Sequence, residues 1–225
     1  MIDVHSHILP LVDDGSQSFE ESIKIIQEEI KQGVTHIVCT PHVYGKEQKQ
    51  DRKFQIEQFQ LLKEKVKALP VKLILGAEVY YHFHIQLDLD AYVFENTNIV
   101  LMEFSTVHDT PIEEVIFNFQ SKGYQMIVAH IERYSYLSIE DIQKIRKTGA
   151  LIQMNSSAVI GSDHYANKSH VKQILKHKLV DIIATDTHNM TTRKPLLANA
   201  YKKLKKYYEP DELDLLFNRI NFNCV

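Results

Sequence analysis

The amino-acid sequence predicts a single α/β domain in which parallel strands close into a barrel. Seven short apolar runs alternate with longer segments of helical period, and no linker rich in Pro, Gly or Ser divides the chain. The 225 residues suffice for one large core and are too few for two ordinary α/β domains, so residues 1–225 are expected to form one domain. An open doubly wound sheet, the alternative, usually has a glycine-rich turn after its first strand, whereas His5-Ser6-His7 stands here.

Each predicted strand is a short run that is apolar on both faces, as is typical of parallel strands buried between two layers. β-Branched and aliphatic residues, which favour strands, dominate these runs. The seven predicted strands are Ile2–Val4, His36–Thr40, Val71–Leu75, Ile99–Met102, Met126–Ala129, Leu151–Met154 and Ile182–Thr185.

The predicted helices lie between these runs, and capping and breaking residues bound them. Ser18 is a suitable N-cap for the first helix, and Gly33 follows its end. Pro70 ends the second helix, and Pro111 suits the first turn of the third. After the first helix, the predicted ranges are Asp51–Leu69, Pro111–Lys122, Ser138–Thr148, Ser169–Lys178, Arg193–Tyr207 and Pro210–Asn218.

Composition and charge exclude several classes of protein. Hydrophobic residues make up 44% and charged residues 24% of the chain, which is the balance of a globular protein. The net charge of −3 disfavours binding to the phosphate backbone of nucleic acids. The two cysteines, Cys39 and Cys224, cannot form a disulfide framework, so a reducing compartment, the cytoplasm, is expected. No apolar segment resembles a signal peptide or spans a bilayer, so no membrane insertion is expected.

Residue types that bind metals follow six of the seven predicted strands. In a barrel of parallel strands the carboxyl ends meet at one rim, where active sites lie. Residues i and i+2 of an extended segment point to the same side, so two of the strand ends each direct a pair of ligands to one place. The candidates are His5 and His7, His42, Glu78, Glu103, His130, and Asp186 and His188, while Asn155 follows the remaining strand.

The chemistry of these side chains indicates two or three divalent cations. The clustered carboxylates, joined by Asp13 or Asp14 from the loop after the first strand, would repel one another unless cations offset their charge. Roughly nine potential ligands exceed the usual coordination number of one ion, and imidazole and carboxylate donors without thiolate suit Mn²⁺, Fe²⁺ or Zn²⁺.

Two arginines near the predicted rim favour a phosphate ester as the substrate. Arg133 follows His130 by three positions, and Arg193 follows His188 by five. Guanidinium groups match the geometry of phosphate oxygens, and multinuclear metal sites act on phosphate esters or amides. On position alone, pairing of each arginine with a surface acid is an equally good interpretation.

A series of motifs runs in order through nearly the whole chain. They are Met1-Ile-Asp-Val-His-Ser-His-Ile-Leu-Pro, Asp13-Asp14-Gly15, Thr40-Pro41-His42, Gly76-Ala77-Glu78-Val79-Tyr80-Tyr81, Met102-Glu103-Phe104-Ser105, Ala129-His130-Ile131-Glu132-Arg133-Tyr134, Gln153-Met154-Asn155-Ser156-Ser157 and Ala184-Thr185-Asp186-Thr187-His188-Asn189. With these motifs the chain resembles the PHP (polymerase and histidinol phosphatase) superfamily. Within it, the chain most resembles the bacterial manganese-dependent tyrosine-protein phosphatases of capsule and exopolysaccharide operons.

This resemblance implies a distorted (β/α)₇ barrel of the PHP type with a trinuclear metal centre that prefers Mn²⁺. It implies Arg133, Arg193 and Asp14 as catalytic residues, with the two arginines binding phosphate. The implied substrate is the phosphotyrosine tail of a membrane-associated tyrosine autokinase that controls polysaccharide synthesis. Position by position, the implied metal ligands are His5, His7, Asp14 (with Asp13 as the alternative), His42, Glu78, Glu103, His130, Asp186 and His188.

Two other functional classes stay open at this point. One is a small-molecule phosphoesterase, such as a histidinol-phosphate phosphatase, and the other is a non-catalytic interaction module stabilised by metal. A cysteinyl-phosphate mechanism is not expected, because no Cys-x₅-Arg segment is present. A homo-oligomer is compatible with the sequence. Tyrosines near the rim are interpreted either as aromatic contacts for substrate or as packing residues, and they are Tyr44, Tyr80, Tyr81 and Tyr134.

Overall fold

A computed structural model describes residues 1–45, 51–82 and 88–222 of the chain. Of the two cysteines in the sequence, Cys39 is buried and free of any disulfide within these ranges. Cys224 lies outside the described residues.

The strands of the described ranges are all parallel and form two sheets. One sheet has the order β1-β2-β4, and the other has the order β3-β5-β6-β7-β8-β9. The strands are β1 Ile2–Ser6, β2 His36–Cys39, β3 His42–Val43, β4 Lys72–Leu75, β5 Glu78–Tyr80, β6 Ile99–Glu103, β7 Gln125–Val128, β8 Leu151–Asn155 and β9 Ile182–Ala184.

Two of the predicted strands are interrupted, and each continues after a break of two residues. β2 continues as β3 beyond Thr40 and Pro41, and β4 continues as β5 in the neighbouring position. Hydrogen bonds bridge the breaks, since the amide of Gly76 donates to the carbonyl of Cys39 (2.9 Å) and that of Glu78 donates to Pro41 (3.1 Å). The second sheet therefore extends the first, and the barrel has the seven strand positions that the sequence predicts.

The barrel closes where the first strand meets the last. The amide of Asp186 donates to the carbonyl of His5, and the amide of His7 donates to Thr187, each at 2.8 Å. The buried carboxylate of Asp3 accepts hydrogen bonds from the amide and the hydroxyl of Thr185. This closure confirms the predicted α/β barrel and places the ends of β1 and β9 side by side.

Two apolar clusters fill the inside and the outside of the barrel. Residues of the inner cluster alternate along the strands with those that face the helices; Val38 points inward, for example, while Ile37 points outward. Phe222 stacks on the ring of His36 at the start of β2, so the C-terminal segment covers the amino end of the barrel. Burying each such side chain stabilises the fold by roughly 1.5–3 kcal/mol. The opposite, carboxyl end remains available for a site.

The helices of the described ranges agree with most of the predicted ones. Ser18, Asp51 and Ser138 are N-caps whose side chains accept hydrogen bonds from amides of the first turn. None of the described helices combines the length and apolar composition needed to cross a bilayer. The helices are α1 Phe19–Lys31, α2 Arg52–Lys65, α3 Ile112–Gln120, α4 Ile139–Lys147, α5 Ser156–Ile160, α6 Lys168–Lys176, α7 Leu197–Leu204 and α8 Pro210–Asn218.

The prediction of a helix from Arg193 is wrong, because α7 begins at Leu197. The side chain of Asn189 accepts hydrogen bonds from the amides of Thr191, Thr192 and Arg193 at 2.9–3.1 Å. Pro195 then disfavours helical backbone at the residue before it. Arg193 consequently lies in a turn, where its side chain can reach the carboxyl rim of the barrel.

We expect Asp181→Ala to destabilise the fold by about 2 kcal/mol, because Asp181 joins three separate elements. Its carboxylate, which is 3% exposed, accepts from Nη2 of Arg146 (2.8 Å) and from the amide of Ile152 (3.1 Å). Its Oδ1 also lies 3.6 Å from Nη2 of Arg219, beyond α8. Urea denaturation would measure the loss. The exposed Asp211 is the matched control, and equal losses for Asp211→Ala and Asp181→Ala would contradict this role.

Candidate metal centre

The structure brings every predicted ligand to the carboxyl rim of the barrel, and Glu78 lies at the middle of the set. Its carboxylate is 1% exposed and contacts four imidazoles. Oε1 is 3.3 Å from Nε2 of His5 and 2.9 Å from Nε2 of His130. Oε2 is 3.2 Å from Nε2 of His7 and 3.0 Å from Nδ1 of His42. One carboxylate thus links four imidazoles from three other strand ends.

Glu103 extends this group toward the outside of the barrel. Its Oε1 is 3.4 Å from Nε2 of His130, and its Oε2 is 3.9 Å from Nδ1 of His42. The side chain is 16% exposed, whereas that of Glu78 is 1% exposed. Glu103 therefore stands between the buried cluster and solvent.

Asp186 connects the imidazoles to the two arginines. Its Oδ1 is 3.6 Å from Nε2 of His5 and 3.5 Å from Nε2 of His7. Its Oδ2 accepts hydrogen bonds from Nη2 of Arg133 (2.8 Å) and Nη2 of Arg193 (2.7 Å). Both guanidinium groups thus belong to the cluster, which rules out the alternative that each one merely pairs with a surface acid.

Asp13 and Asp14 have different surroundings, which bears on the choice between them as ligands. Asp13 accepts from Nδ1 of His7 (2.8 Å) and from the amides of Gly15 and His42, so its oxygens are already used. Oδ1 of Asp14 faces Nε2 of His42 and Nε2 of His188, both at 3.3 Å. This geometry favours Asp14 as the ligand and Asp13 as the residue that orients His7.

The donor atoms gather into three groups that are each small enough to surround one ion. Within a group, one donor atom from each residue lies within 4.8 Å of the others. The groups are His7, Asp14, His42 and His188; His5, His7 and Asp186; and His42, Glu78 and Glu103.

Several of these atoms are buried close to a partner without forming a hydrogen bond. Nδ1 of His42 and Oε2 of Glu78 are 3.0 Å apart, yet neither atom forms a hydrogen bond. Nε2 of His188 also forms no hydrogen bond, although it lies 3.3 Å from Oδ1 of Asp14. Buried polar atoms are normally hydrogen-bonded, so such atoms need another explanation. A cation coordinated by the lone pairs of these atoms would explain why they form no hydrogen bonds. The donor set suits Mn²⁺, Fe²⁺ or Zn²⁺.

Two imidazoles of the cluster, those of His7 and His130, have raised basicity. Burial and the neighbouring His42 lower the pKa of His7, but Asp13 and Glu78 together outweigh them and raise it to about 9. Burial and a nearby guanidinium likewise oppose the charge of His130, yet Glu103 and a second carboxylate raise its pKa to about 10. Carboxylates therefore dominate the electrostatics around these rings.

The carboxylates remain ionised despite their burial. Burial alone would raise the pKa of Glu78, but His5 and His42 hold it well below its usual range. Burial acts in the same direction on Asp186, and Arg133 and His5 hold its pKa well below the usual range. Negative charge thus persists inside the rim, where it attracts divalent cations.

Two residues of the cluster have left-handed backbone, which L-residues rarely adopt. His130 has φ 30° and Asp186 has φ 52°, and each lies two residues after the end of a barrel strand. Their amides are held by Gln153 Oε1 (2.7 Å) and by the carbonyl of His5 (2.8 Å). Such strain persists only where the surrounding structure enforces it, and it is common at functional sites.

Gln153 is a site residue that reasoning from strand ends missed. Its Oε1 accepts from the amide of His130 and from Nδ1 of His5 (3.1 Å), so the acceptor lone pair of His5 is on Nε2, which faces Nε2 of His7 at 3.1 Å. Its Nε2 donates to Asn155, which in turn donates to Oδ2 of Asp186. Polar residues at alternate positions of an otherwise apolar strand, Gln153 and Asn155, were the signal available in the sequence.

We expect Gln153→Ala to weaken Mn²⁺ binding by about 10- to 100-fold, because His5 loses the group that fixes its tautomer and ring orientation. Calorimetric titration with Mn²⁺ would show a raised Kd and full occupancy at excess Mn²⁺. Gln153→Glu keeps the accepting oxygen and is the control that should retain most of the affinity. An unchanged Mn²⁺ affinity in Gln153→Ala would remove this residue from the site.

The cluster opens into a cavity of ≈ 390 Å³ at the rim. Arg133 and Arg193 line it, together with Tyr44 from the predicted set of tyrosines. Tyr134 is fully buried, and its hydroxyl accepts from the amide of Phe104, so its role is packing. Tyr165, which the sequence pattern did not single out, also lines the cavity.

Comparisons with known proteins agree with this fold. The tyrosine-protein phosphatase CpsB of Streptococcus agalactiae is 32% identical over 230 residues, covering 96% of this chain and 95% of that protein. CpsB of Streptococcus pneumoniae is 32% identical over 232 residues, with the same coverage. A crystal structure from work on YwqE from Bacillus subtilis and CpsB from S. pneumoniae, described as unique metal-dependent tyrosine phosphatases, has a TM-score of 0.85 and 25% identity. It covers 96% of this chain and 91% of the matched chain.

These matches confirm the resemblance to the capsule-operon phosphatases of the PHP superfamily. A family model for capsular polysaccharide synthesis, CpsB/CapC, matches residues 1–223. The match extends over nearly the whole chain and includes every residue of the metal cluster. The chain therefore belongs to the CpsB/CapC family of capsular polysaccharide synthesis.

Proposed function

We propose that this protein is a metal-dependent protein-tyrosine phosphatase that acts on a bacterial tyrosine autokinase and thereby regulates capsular or exopolysaccharide synthesis. The observation that carries the proposal is the shared carboxylate of Asp186. One of its oxygens faces the imidazoles, and the other binds Arg133 and Arg193. A phosphoryl group held by the arginines would therefore lie beside the cations. The relatives in the same family are named tyrosine phosphatases.

The proposed cofactor is Mn²⁺, bound as two or three ions, with Fe²⁺ or Zn²⁺ as substitutes. The imidazole and carboxylate donors and the absence of thiolate among them support this choice. Fe²⁺ and Zn²⁺ share these donor preferences. The proposed ligands are His5, His7, Asp14, His42, Glu78, Glu103, His130, Asp186 and His188.

When bound, such cations act as Lewis acids and supply a water nucleophile of lowered pKa. The residues of the chain orient the ester for this attack. Arg133 and Arg193 donate hydrogen bonds to the phosphoryl oxygens, and Asp186 holds both guanidinium groups in place for that role. Asp14, 3.8 Å from Nη1 of Arg193, positions that arginine from the solvent side. Phenolate is a good leaving group, so the chain need not provide a strong general acid.

The proposed partner is the phosphotyrosine tail of a membrane-associated kinase, which this protein would bind at the cytoplasmic face of the membrane. Two features support a peptide as substrate. The cavity opens at the rim, and the side chains of Arg133 and Arg193 are 12% and 28% exposed, so a phosphotyrosine on a flexible tail can reach them from solvent.

The test compares a phosphotyrosine peptide with histidinol phosphate under the same conditions with Mn²⁺. We expect the peptide to be preferred by at least about tenfold in kcat/KM, since a rim-exposed site bearing two arginines accepts a peptide-borne ester. Chelation should abolish turnover, and Mn²⁺ should restore it. A tenfold preference for histidinol phosphate would favour the small-molecule phosphoesterase instead, and full activity after demetallation would contradict both.

A further inference from the structure

We propose that Tyr44 and Tyr165 form two aromatic walls that hold the phosphotyrosyl ring and give the site its preference for aryl over alkyl phosphate esters. This inference rests on the proposed function, because it names the groups that recognise its substrate. Both rings line the same cavity as Arg133, Arg193 and Asp186. Its volume of ≈ 390 Å³ falls within the range of small-molecule sites.

Tyr165 forms its wall on the arginine side of the cavity. Its ring centroid is 5.3 Å from Cζ of Arg133, a cation–π distance, and the residue is 75% exposed. The buried carboxylate of Asp163 holds this arrangement, because it accepts from the amide of Tyr165 (2.8 Å) and from Nη2 of Arg133 (3.3 Å). The ring is thus fixed beside a phosphate-binding group while its apolar surface faces solvent.

Tyr44 forms the wall on the metal side. Its ring stacks on the imidazole of His42 with centroids 5.2 Å apart and an interplanar angle of 28°. Tyr80 supports it at 5.7 Å, and Tyr44 remains 42% exposed.

The chemistry of an aryl phosphate brings its ring to these walls. A single oxygen separates the ring from phosphorus, so arginines that hold the phosphoryl group also fix where the ring lies. Aromatic pairs attract one another at centroid separations of about 4.5–7 Å. A seryl or other alkyl ester has no π-face, so it gains little from the same walls. Two exposed rings anchored to a phosphate-binding arginine and a metal-binding imidazole therefore select aryl esters.

Inhibition by phosphonates separates ring recognition from phosphoryl recognition, because phosphonates have no leaving group. With Mn²⁺ present, Ki is measured for phenylphosphonate and for methylphosphonate against hydrolysis of a phosphotyrosine peptide. We expect Tyr165→Ala to raise Ki for phenylphosphonate about tenfold, and the double variant with Tyr44→Ala to raise it further. Ki for methylphosphonate should change less than about twofold in Tyr165→Ala, since the methyl group has no ring to stack.

Matched variants keep the result interpretable. Tyr165→Phe keeps the ring and should retain wild-type inhibition, and Tyr165→Leu keeps apolar volume without a π-face if the alanine variant does not fold. Tyr207 also has a cation–π contact, with Lys206 at 4.8 Å, but it does not line the cavity, so Tyr207→Ala should change neither Ki. Equal rises for both phosphonates, or no rise for either, would overturn the inference. A wild-type protein that ignores phosphotyrosine peptides would instead overturn the proposed function.

Discussion

Asp186→Ala is expected to lower kcat/KM for a phosphotyrosine peptide by about 10³-fold or more, a larger loss than we expect from any other single substitution. The substitution removes a ligand candidate that faces His5 and His7. It also removes the oxygen that orients Arg133 and Arg193, so both halves of the site lose their geometry at once. Replacing a residue that serves only the metal half or only the arginine half should lower kcat/KM less.

The measurement separates this loss from weak metal binding and from unfolding. Excess Mn²⁺ should restore Gln153→Ala but not Asp186→Ala, because the arginines stay misplaced whatever the metal concentration. Circular dichroism and the thermal midpoint should show a folded protein, since the barrel core does not include the carboxylate. Asp109 is exposed and lines a different cavity from that of the cluster, so Asp109→Ala is the control. Activity of Asp186→Ala within tenfold of wild type would exclude Asp186 from the site.

Topology explains why most of the cluster was predictable from the sequence. Parallel strands place their carboxyl ends at one rim, so residues such as His5, Glu78, His130 and Asp186 meet although they are far apart in the chain. No knowledge of individual distances is needed for that step. Short runs that are apolar on both faces were enough to find the seven positions, because both breaks occur at a strand end and preserve the register across Pro41.

Features set by long-range hydrogen bonds were not predictable. Asp13 and Asp14 are neighbours in a loop, and only their partners from other elements distinguish them. The turn that delivers Arg193 depends on the side chain of Asn189, whose local effect the helical period of the segment conceals. Tyr165 owes its position to Asp163, which bonds to a distant arginine. Tertiary contacts thus complete the local pattern at Asp13, Asp14 and Tyr165, whereas at Arg193 a local side-chain turn overrides the helical period.

Helix α5 was not predicted from the sequence. Ser156–Ile160 is a single short helix that directly follows β8 and ends at Gly161, whose φ of 88° favours glycine. Its residues are compatible with a continued strand, so no period distinguishes the two. The turn matters to the site because the hydroxyl of Ser157 donates to Asp163 at 3.3 Å, which helps to anchor the loop that carries Tyr165.

The second large effect is expected at Arg133, where replacement by alanine should lower kcat/KM by about 10²-fold. Its Nη2 donates to Asp186 (2.8 Å) and Asp163 (3.3 Å), so the guanidinium is held rigidly in the wall of the cavity. A charged side chain held in this way stabilises the transition state without reorganising, and the loss should appear in kcat as well as in KM.

Arg133→Lys tests whether the fork of donors or the charge alone is responsible. Lysine has its three donors on one nitrogen and no planar fork, so it cannot keep the two carboxylate contacts and also reach a phosphoryl oxygen as the wider guanidinium does. Lysine should therefore recover less than about tenfold of the loss. Arg146→Ala is the matched control, because that guanidinium also pairs with a buried carboxylate, that of Asp181, away from the cavity. Full recovery by lysine would mean that the charge alone is responsible. An effect of Arg133→Ala below twofold would mean that this arginine only stabilises the rim through its bonds to Asp186 and Asp163.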